Sequence, residues 1–107
     1  MPNQKQPPED KRLEYLPEPA SSSQPLITYF HGIFIRMRCR DEQQRLYVQY
    51  GGDTATFDFE GNLLEGEFPS KQQKYVEVWA DIRRQDLRVL WELMRREDAY
   101  FKIRGLE

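Results

Sequence analysis

The apolar positions along the chain keep one period to about residue 59 and another after residue 70. From Leu26 the period is two. Ile33, Ile35, Met37 and Cys39 alternate with Phe34, Arg36, Arg38 and Arg40. Leu46, Val48 and Tyr50 alternate with Tyr47 and Gln49, and Ala55, Phe57 and Phe59 with Thr54, Thr56 and Asp58. Successive side chains of a strand point to opposite faces, so this alternation predicts strands buried on one side and wet on the other. His31-Gly32, Gly51-Gly52 and Gly61-Asn62 fall between the runs as two-residue turns. The last two are dipeptides that favour tight hairpins, and His tolerates positive φ better than most residues.

Such turns fix the register. Around Gly51-Gly52, Tyr50 faces Asp53, Val48 faces Ala55, Leu46 faces Phe57 and Arg45 faces Asp58. Around Gly61-Asn62, Phe59 is expected opposite Leu64, Asp58 opposite Glu65 and Thr56 opposite Glu67. Directly opposed residues share a face, and a slip of one residue would scatter the apolar pairs. The same register sets Asp58 against Glu65, with Glu60 and Glu67 beside them, and like charges so placed repel. Arg45 is the nearest counter-charge, while Arg36, Arg38 and Arg40 line the polar side of the preceding strand. Ion pairs across a solvated face account for this pattern more simply than a divalent-metal site on Asp58, Glu60 and Glu65.

After Pro69 the period becomes helical. Ser70 and Gln73 have the spacing of a capping box, and Tyr75, Val78, Trp79 and Ile82 recur at i, i+3, i+4, i+7. Leu87, Leu90, Trp91 and Met94 repeat that template. The two stripes point about 120° apart, so a break is predicted near Arg84-Gln85, with Asp86 opening a second helix. The run Tyr100-Phe101-Lys102-Ile103 suits an edge strand or a docked tail. The expected fold is α+β: an antiparallel meander of about five strands, with two C-terminal helices packed on one face and both tryptophans buried.

Composition divides the chain. Hydrophobic residues make up 38% of 107, and the deficit is concentrated in residues 1–25, which hold six of the seven prolines and the run Ser21-Ser22-Ser23. Proline fixes φ and removes a backbone donor, so this stretch is expected to be a disordered leader ahead of a single domain over residues 26–107. Leu13-Glu14-Tyr15-Leu16 is its one candidate partner motif. The single cysteine excludes an internal disulfide, and neither a membrane span nor a signal peptide is present, which points by elimination to the cytoplasm.

The formal net charge of −2 conceals blocks. Residues 26–40 carry +3, residues 41–68 carry −6 and residues 70–104 carry +3. This arrangement is unlike that of a basic nucleic-acid binder, although the Arg36, Arg38 and Arg40 row with Tyr29, Phe34 and Tyr47 beside it could stack on RNA. Catalytic signals are missing. With one histidine, His31, no zinc centre of the His–Cys–Cys type can be built, and Cys39 has the spacing of a core residue, not of a nucleophile paired with His31. No serine triad or phosphate-binding glycine loop is present. No cofactor or metal is expected.

The run from Ile27 through Tyr29-Phe30-His31-Gly32-Ile33-Phe34 to Met37, then Tyr50-Gly51-Gly52, then Leu63-Leu64-Glu65-Gly66-Glu67-Phe68-Pro69, resembles a small bacterial family, domain-of-unknown-function family 4160. Trp79, Trp91 and the closing Lys102-Ile103 fit the same pattern, over about residues 26–107. The resemblance implies a small α+β domain without an established activity, of a kind often encoded beside another small protein in a toxin–antitoxin-like pairing. It also implies Pro-Pro-His-x-His ahead of the Gly-Gly turn. Here Gln43-Gln44-Arg45-Leu46-Tyr47 stands in that place, with Arg45 and Tyr47 at the two histidine positions.

The function expected is therefore a protein-interaction module, one half of a toxin–antitoxin-like pair, with Arg36, Arg38, Arg40, Arg45, Tyr47, Asp58 and Glu65 on a polar sheet face as the partner-binding set. The alternative is a nucleic-acid-binding or ribonuclease-like protein working through Arg36, Arg38, Arg40 and Arg45. Neither an enzyme nor a membrane role is specified by any residue pattern.

Overall fold

The computed structural model describes residues 16–107. The period-two region forms one sheet of strands β2 (Leu26–Phe30), β3 (Ile33–Arg36), β4 (Arg45–Tyr50), β5 (Asp53–Asp58) and β6 (Leu63–Gly66), in that spatial order and all antiparallel. Helices α1 (Ser70–Ile82) and α2 (Arg84–Met94) follow. A separate two-residue ladder joins β1 (Glu18–Pro19) to β7 (Ala99–Tyr100). This is the α+β meander with two C-terminal helices that the periodicity predicts.

Register follows turn chemistry. His31 (φ 49°) and Gly32 (φ 79°) are both left-handed, the signature of a type I′ turn, and Phe30 pairs directly with Ile33. The β4–β5 register is the expected one at every position, from Tyr50 with Asp53 to Arg45 with Asp58. The β5–β6 register is not. Thr56 pairs with Glu65 and Phe57 with Leu63, with a bulge between, so Asp58 does not face Glu65 and Thr56 does not face Glu67. The cause is that the connection is longer than Gly61-Asn62: β5 ends at Asp58, and the Asp58 N–H donates to the Asn62 carbonyl at 3.0 Å. Phe59 is buried within this loop.

The core lies between one sheet face and the helices. Ile33, Ile35, Leu46, Val48, Ala55 and Phe57 project from the sheet, and Val76, Trp79, Ala80, Leu87, Leu90 and Met94 meet them from the helices. The α2 stripe is as predicted, with Trp91 only partly buried. The α1 stripe is turned by about a quarter turn: Gln72, Val76, Trp79 and Ala80 are buried, Tyr75 is half-buried, and Val78 and Ile82 are exposed. Trp79 sets this rotation, because its indole N–H donates to the Arg104 carbonyl at 2.9 Å while its ring lies 6.0 Å from that of Phe30. The capping box does not form either. Pro69 is the N-cap, without a side-chain cap bond, and Gln73 reaches back to the Phe68 carbonyl at 3.2 Å. The helices part at Arg83 (φ −101°, ψ 21°), within two residues of the predicted break.

Residues 18–25, assigned to the leader by their prolines, run against the domain. Besides the β1–β7 ladder, the Ala20 N–H donates to Asp98 and the Cys39 N–H to the Ser23 carbonyl, both at 2.9 Å. Short antiparallel pairing tolerates proline on an edge, which is where Pro19 sits. Of the Leu13-Glu14-Tyr15-Leu16 motif, Leu16 is exposed and the other three lie outside the described residues. No helix among the described residues is long and apolar enough to cross a membrane.

Gly61 is where the β5–β6 loop touches α1. Its φ is +86°, and a Cβ there would stand 2.5 Å from the Cα of Glu77. Gly61→Ala is expected to destabilise the protein by about 2 kcal/mol or more. Gly52→Ala, which meets nothing within 4 Å, should stay within about 0.5 kcal/mol of the parent. Urea unfolding of the two variants checks the contrast; equal midpoints would refute the loop–helix contact.

Candidate functional site

Helices and tail cover one sheet face, so the side chains of the other half of each alternation stand on the open face. Tyr29 and Phe34 are direct cross-strand partners there, their ring centroids 4.6 Å apart, and they stay 56% and 37% exposed. Arg36 pairs with Tyr47 across β3 and β4, and the Arg36 guanidinium donates to the Gln24 carbonyl at 3.0 Å. Beyond the end of β3, the Arg38 guanidinium lies 4.0 Å over the centre of the Tyr47 ring, a cation–π contact. Phe34, Arg36, Arg38 and Tyr47, with Gln24, Gln49, Thr54, Thr56 and Glu65, line a shallow concavity of about 430 Å³, and Tyr29 stands outside it against Phe34.

The structure thus brings together Arg36, Arg38, Tyr47 and Glu65 from the expected set. Arg40 is a correction. Its φ of 64° turns the chain out of the strand; its N–H donates to the Met94 carbonyl at 2.8 Å, closing the C-terminus of α2, and its side chain pairs with Asp98 at 3.3 Å. The alternation stops as a ladder at Arg36, since the chain must turn at residues 39 and 40 to reach the helix end. Cys39 lies in that turn, partly buried. Burial first, then Asp98, pushes its thiol above the usual range against the pull of Arg40, which suits an inert side chain. His31 stacks on Tyr75 at 5.0 Å in the β2–β3 turn.

Arg45 and Tyr47 stand on alternate residues of β4, both on the open face. Tyr47 donates its hydroxyl to Asp41 Oδ2 at 2.8 Å. Burial, reinforced by that hydrogen bond and by the charge of Asp41, raises its pKa in spite of Arg38 and Arg45, so the hydroxyl is held as a donor. Asp41 is the residue that pattern reading overlooks. It accepts the Gln43 N–H at 3.0 Å through its side chain and the Trp91 indole N–H at 3.0 Å through its carbonyl, tying the β3–β4 loop to α2. A loop Asp two residues ahead of a free N–H was its only signal in the sequence. Gln24 carried none, because its role depends on where residues 18–25 run.

Asp58 is engaged by its own loop. Its carboxylate accepts the Glu60 N–H and the Asn62 N–H, each at 2.9 Å, and the Asn62 amide at 3.1 Å. Burial opposes the charge, yet the bonds from Asn62 and Glu60, with Arg45 nearby, outweigh it and hold the carboxyl below its ordinary value. Asp58 opens onto a second concavity with Gln44, Glu60, Arg84 and Arg88, away from Glu65. With its oxygens committed to the loop, Asp58 does not join Glu60 and Glu65 in a cation site, and among the described residues no group of three such ligands comes together.

Residues 32–92 match the family described as a domain of unknown function (DUF4160), more than half of the chain. The chain belongs to the DUF4160 family. Neither a curated protein nor a solved structure matches it. In this DUF4160 domain the matched span takes in the sheet from β3 to β6 and both helices up to Glu92, and leaves β1, β2 and β7 outside.

Because the folded Asp58 carboxyl releases its proton more readily than the unfolded one, its contribution is full above the unfolded pKa of about 3.9 and is lost as pH falls through the lower folded value. Asp58→Ala should cost about 1–2 kcal/mol at neutral pH, and the gap to the parent should shrink below about pH 4. Thermal unfolding of both proteins from neutral to acidic pH would show it; a gap that widens on acidification would reverse the sign of the argument.

Proposed function

We propose that the chain is a protein-interaction module whose working surface is the open sheet face. The observation that carries this reading is the grouping of Phe34, half-buried Arg36 and the Arg38–Tyr47 contact around one shallow concavity, with exposed Tyr29 packed on Phe34 at its edge. Tyrosine, tryptophan and arginine dominate the residues that supply binding energy between proteins, since each offers a large apolar surface with a polar tip. Here two of these types already hold each other in place, so little conformational freedom remains to be lost on docking. The partner we favour is the small protein encoded beside the chain, as one half of a toxin–antitoxin-like pair.

Arg45 and Tyr47 in place of two histidines fit docking better than acid–base chemistry, because an arginine stays protonated and this tyrosine is held as a donor. The nucleic-acid alternative is weakened by Arg40, which is paired with Asp98 away from the row, and by Glu65 on the same face.

The test is a titration of the full chain with the purified product of the neighbouring gene. Arg38→Ala/Tyr47→Ala should weaken binding about tenfold or more, with the fold retained by circular dichroism although loss of the Tyr47–Asp41 bond lowers the unfolding midpoint. Undiminished affinity in that variant would overturn the reading. Salt-dependent RNA binding that disappears in Arg36→Ala/Arg38→Ala/Arg45→Ala would replace it with the nucleic-acid one.

A further inference from the structure

The two edges of the sheet differ. On the β2 side, the Ile103 N–H donates to the Ile27 carbonyl at 3.0 Å, so the C-terminal segment covers the bulge at that edge. On the β6 side nothing among the described residues pairs beyond the strand. All four residues of β6 are exposed, and Leu63 and Leu64 are 37% and 41% exposed. An edge strand directs half of its backbone donors and acceptors outward, and natural edges are commonly blunted by lysine, proline or an overlying segment. β6 is short and bulged against β5, which limits the edge to a few outward groups, but from Leu63 to Gly66 there is no lysine, no proline and, among the described residues, no strand paired beyond it.

Charge says what would pair there. Between Arg45 and Lys71 the chain carries Asp53, Asp58, Glu60, Glu65 and Glu67 and no base. Lys74 stands beside Leu63, and Arg84 and Arg88 share a concavity with Asp58 and Glu60, so the acidic character of the edge is concentrated at Glu65 and Glu67. A second copy seated on β6 would bring Glu65 and Glu67 of both chains together without a counter-charge, which is unfavourable in cross-strand positions. An extended segment with lysine or arginine alternating with apolar residues would meet the glutamates with its bases and the exposed leucines with its apolar side. We infer that the β6 edge is a second binding site, which takes a basic, extended peptide segment of a partner protein as a sixth strand. Backbone hydrogen bonds would supply the pairing, and charge would supply the selection.

This site borders the aromatic–arginine cluster, sharing Glu65 and Gly66 with the rim of its concavity, and the experiment tells the two apart. A capped peptide of alternating lysine and valine is titrated into the isotopically labelled full chain and followed by NMR. The expected result is saturable shifts centred on residues 63–66, slowed amide exchange there, weaker binding at high salt, and no binding of the matching glutamate–valine peptide. Glu65→Lys/Glu67→Lys, which leaves the backbone unchanged, should bind the lysine peptide about tenfold more weakly. Arg38→Ala/Tyr47→Ala should bind it as the parent does. Three results would overturn the inference: shifts centred on the helices or on Tyr29 and Tyr47, equal affinity in the charge-reversed variant, or self-association through β6 seen as concentration-dependent sedimentation of the chain alone.

Discussion

The open face depends on how completely the opposite face is buried. Two short helices and a few tail residues have only enough apolar surface to cover one side of a five-stranded sheet, and Trp79, fully buried at the middle of that layer, is its largest side chain. Once Ile33, Ile35, Leu46, Val48, Ala55 and Phe57 are committed to that side, the pleat leaves their neighbours no alternative but the other. Phe34, Arg36, Tyr47, Thr54 and Thr56 therefore share a surface for reasons of packing, before any partner is considered. Removing apolar area from water at roughly 25 cal/mol per Å² is what holds this division.

Legibility in the sequence followed the locality of the interaction. The β4–β5 hairpin could be read residue by residue, because a two-residue turn and strict alternation leave one register. The β5–β6 hairpin could not, since Asp58 competes for backbone N–H groups that a tight Gly-Asn turn would otherwise have used. Side-chain capture of this kind favours a longer loop, and hydrophobic spacing is blind to it. The α1 rotation was hidden for another reason. Gln72 and Ala80 are buried although neither signals burial, and Val78 and Ile82 signal burial although they are exposed. What decides between them is Trp79 reaching Arg104, a contact across 25 positions of chain.

The candidate site divides the same way. Arg36 and Tyr47 share a face by alternation alone, so both could be placed in advance. Arg40 could not, because its left-handed backbone answers to the end of α2, far along the chain. Family membership spans β3 to α2, and within that span Arg45 and the hydrogen-bonded Tyr47 stand on one face of β4.

The β1–β7 clasp has a kinetic side. It joins residues separated by nearly the whole described chain through two backbone pairs, Glu18 with Tyr100 and Pro19 with Ala99. Closing so long a loop for so few contacts makes it a late event in folding, and the same arithmetic makes it the first unit to reopen in the native state. Gln24, which holds the Arg36 guanidinium, lies further along the same strap, where the Cys39–Ser23 and Met37–Pro25 backbone bonds hold it independently of the clasp. Opening of the clasp would therefore free residues 18–20 and the C-terminal strand while leaving Gln24 and the border of the open face in place, so the strap peels from its outer end.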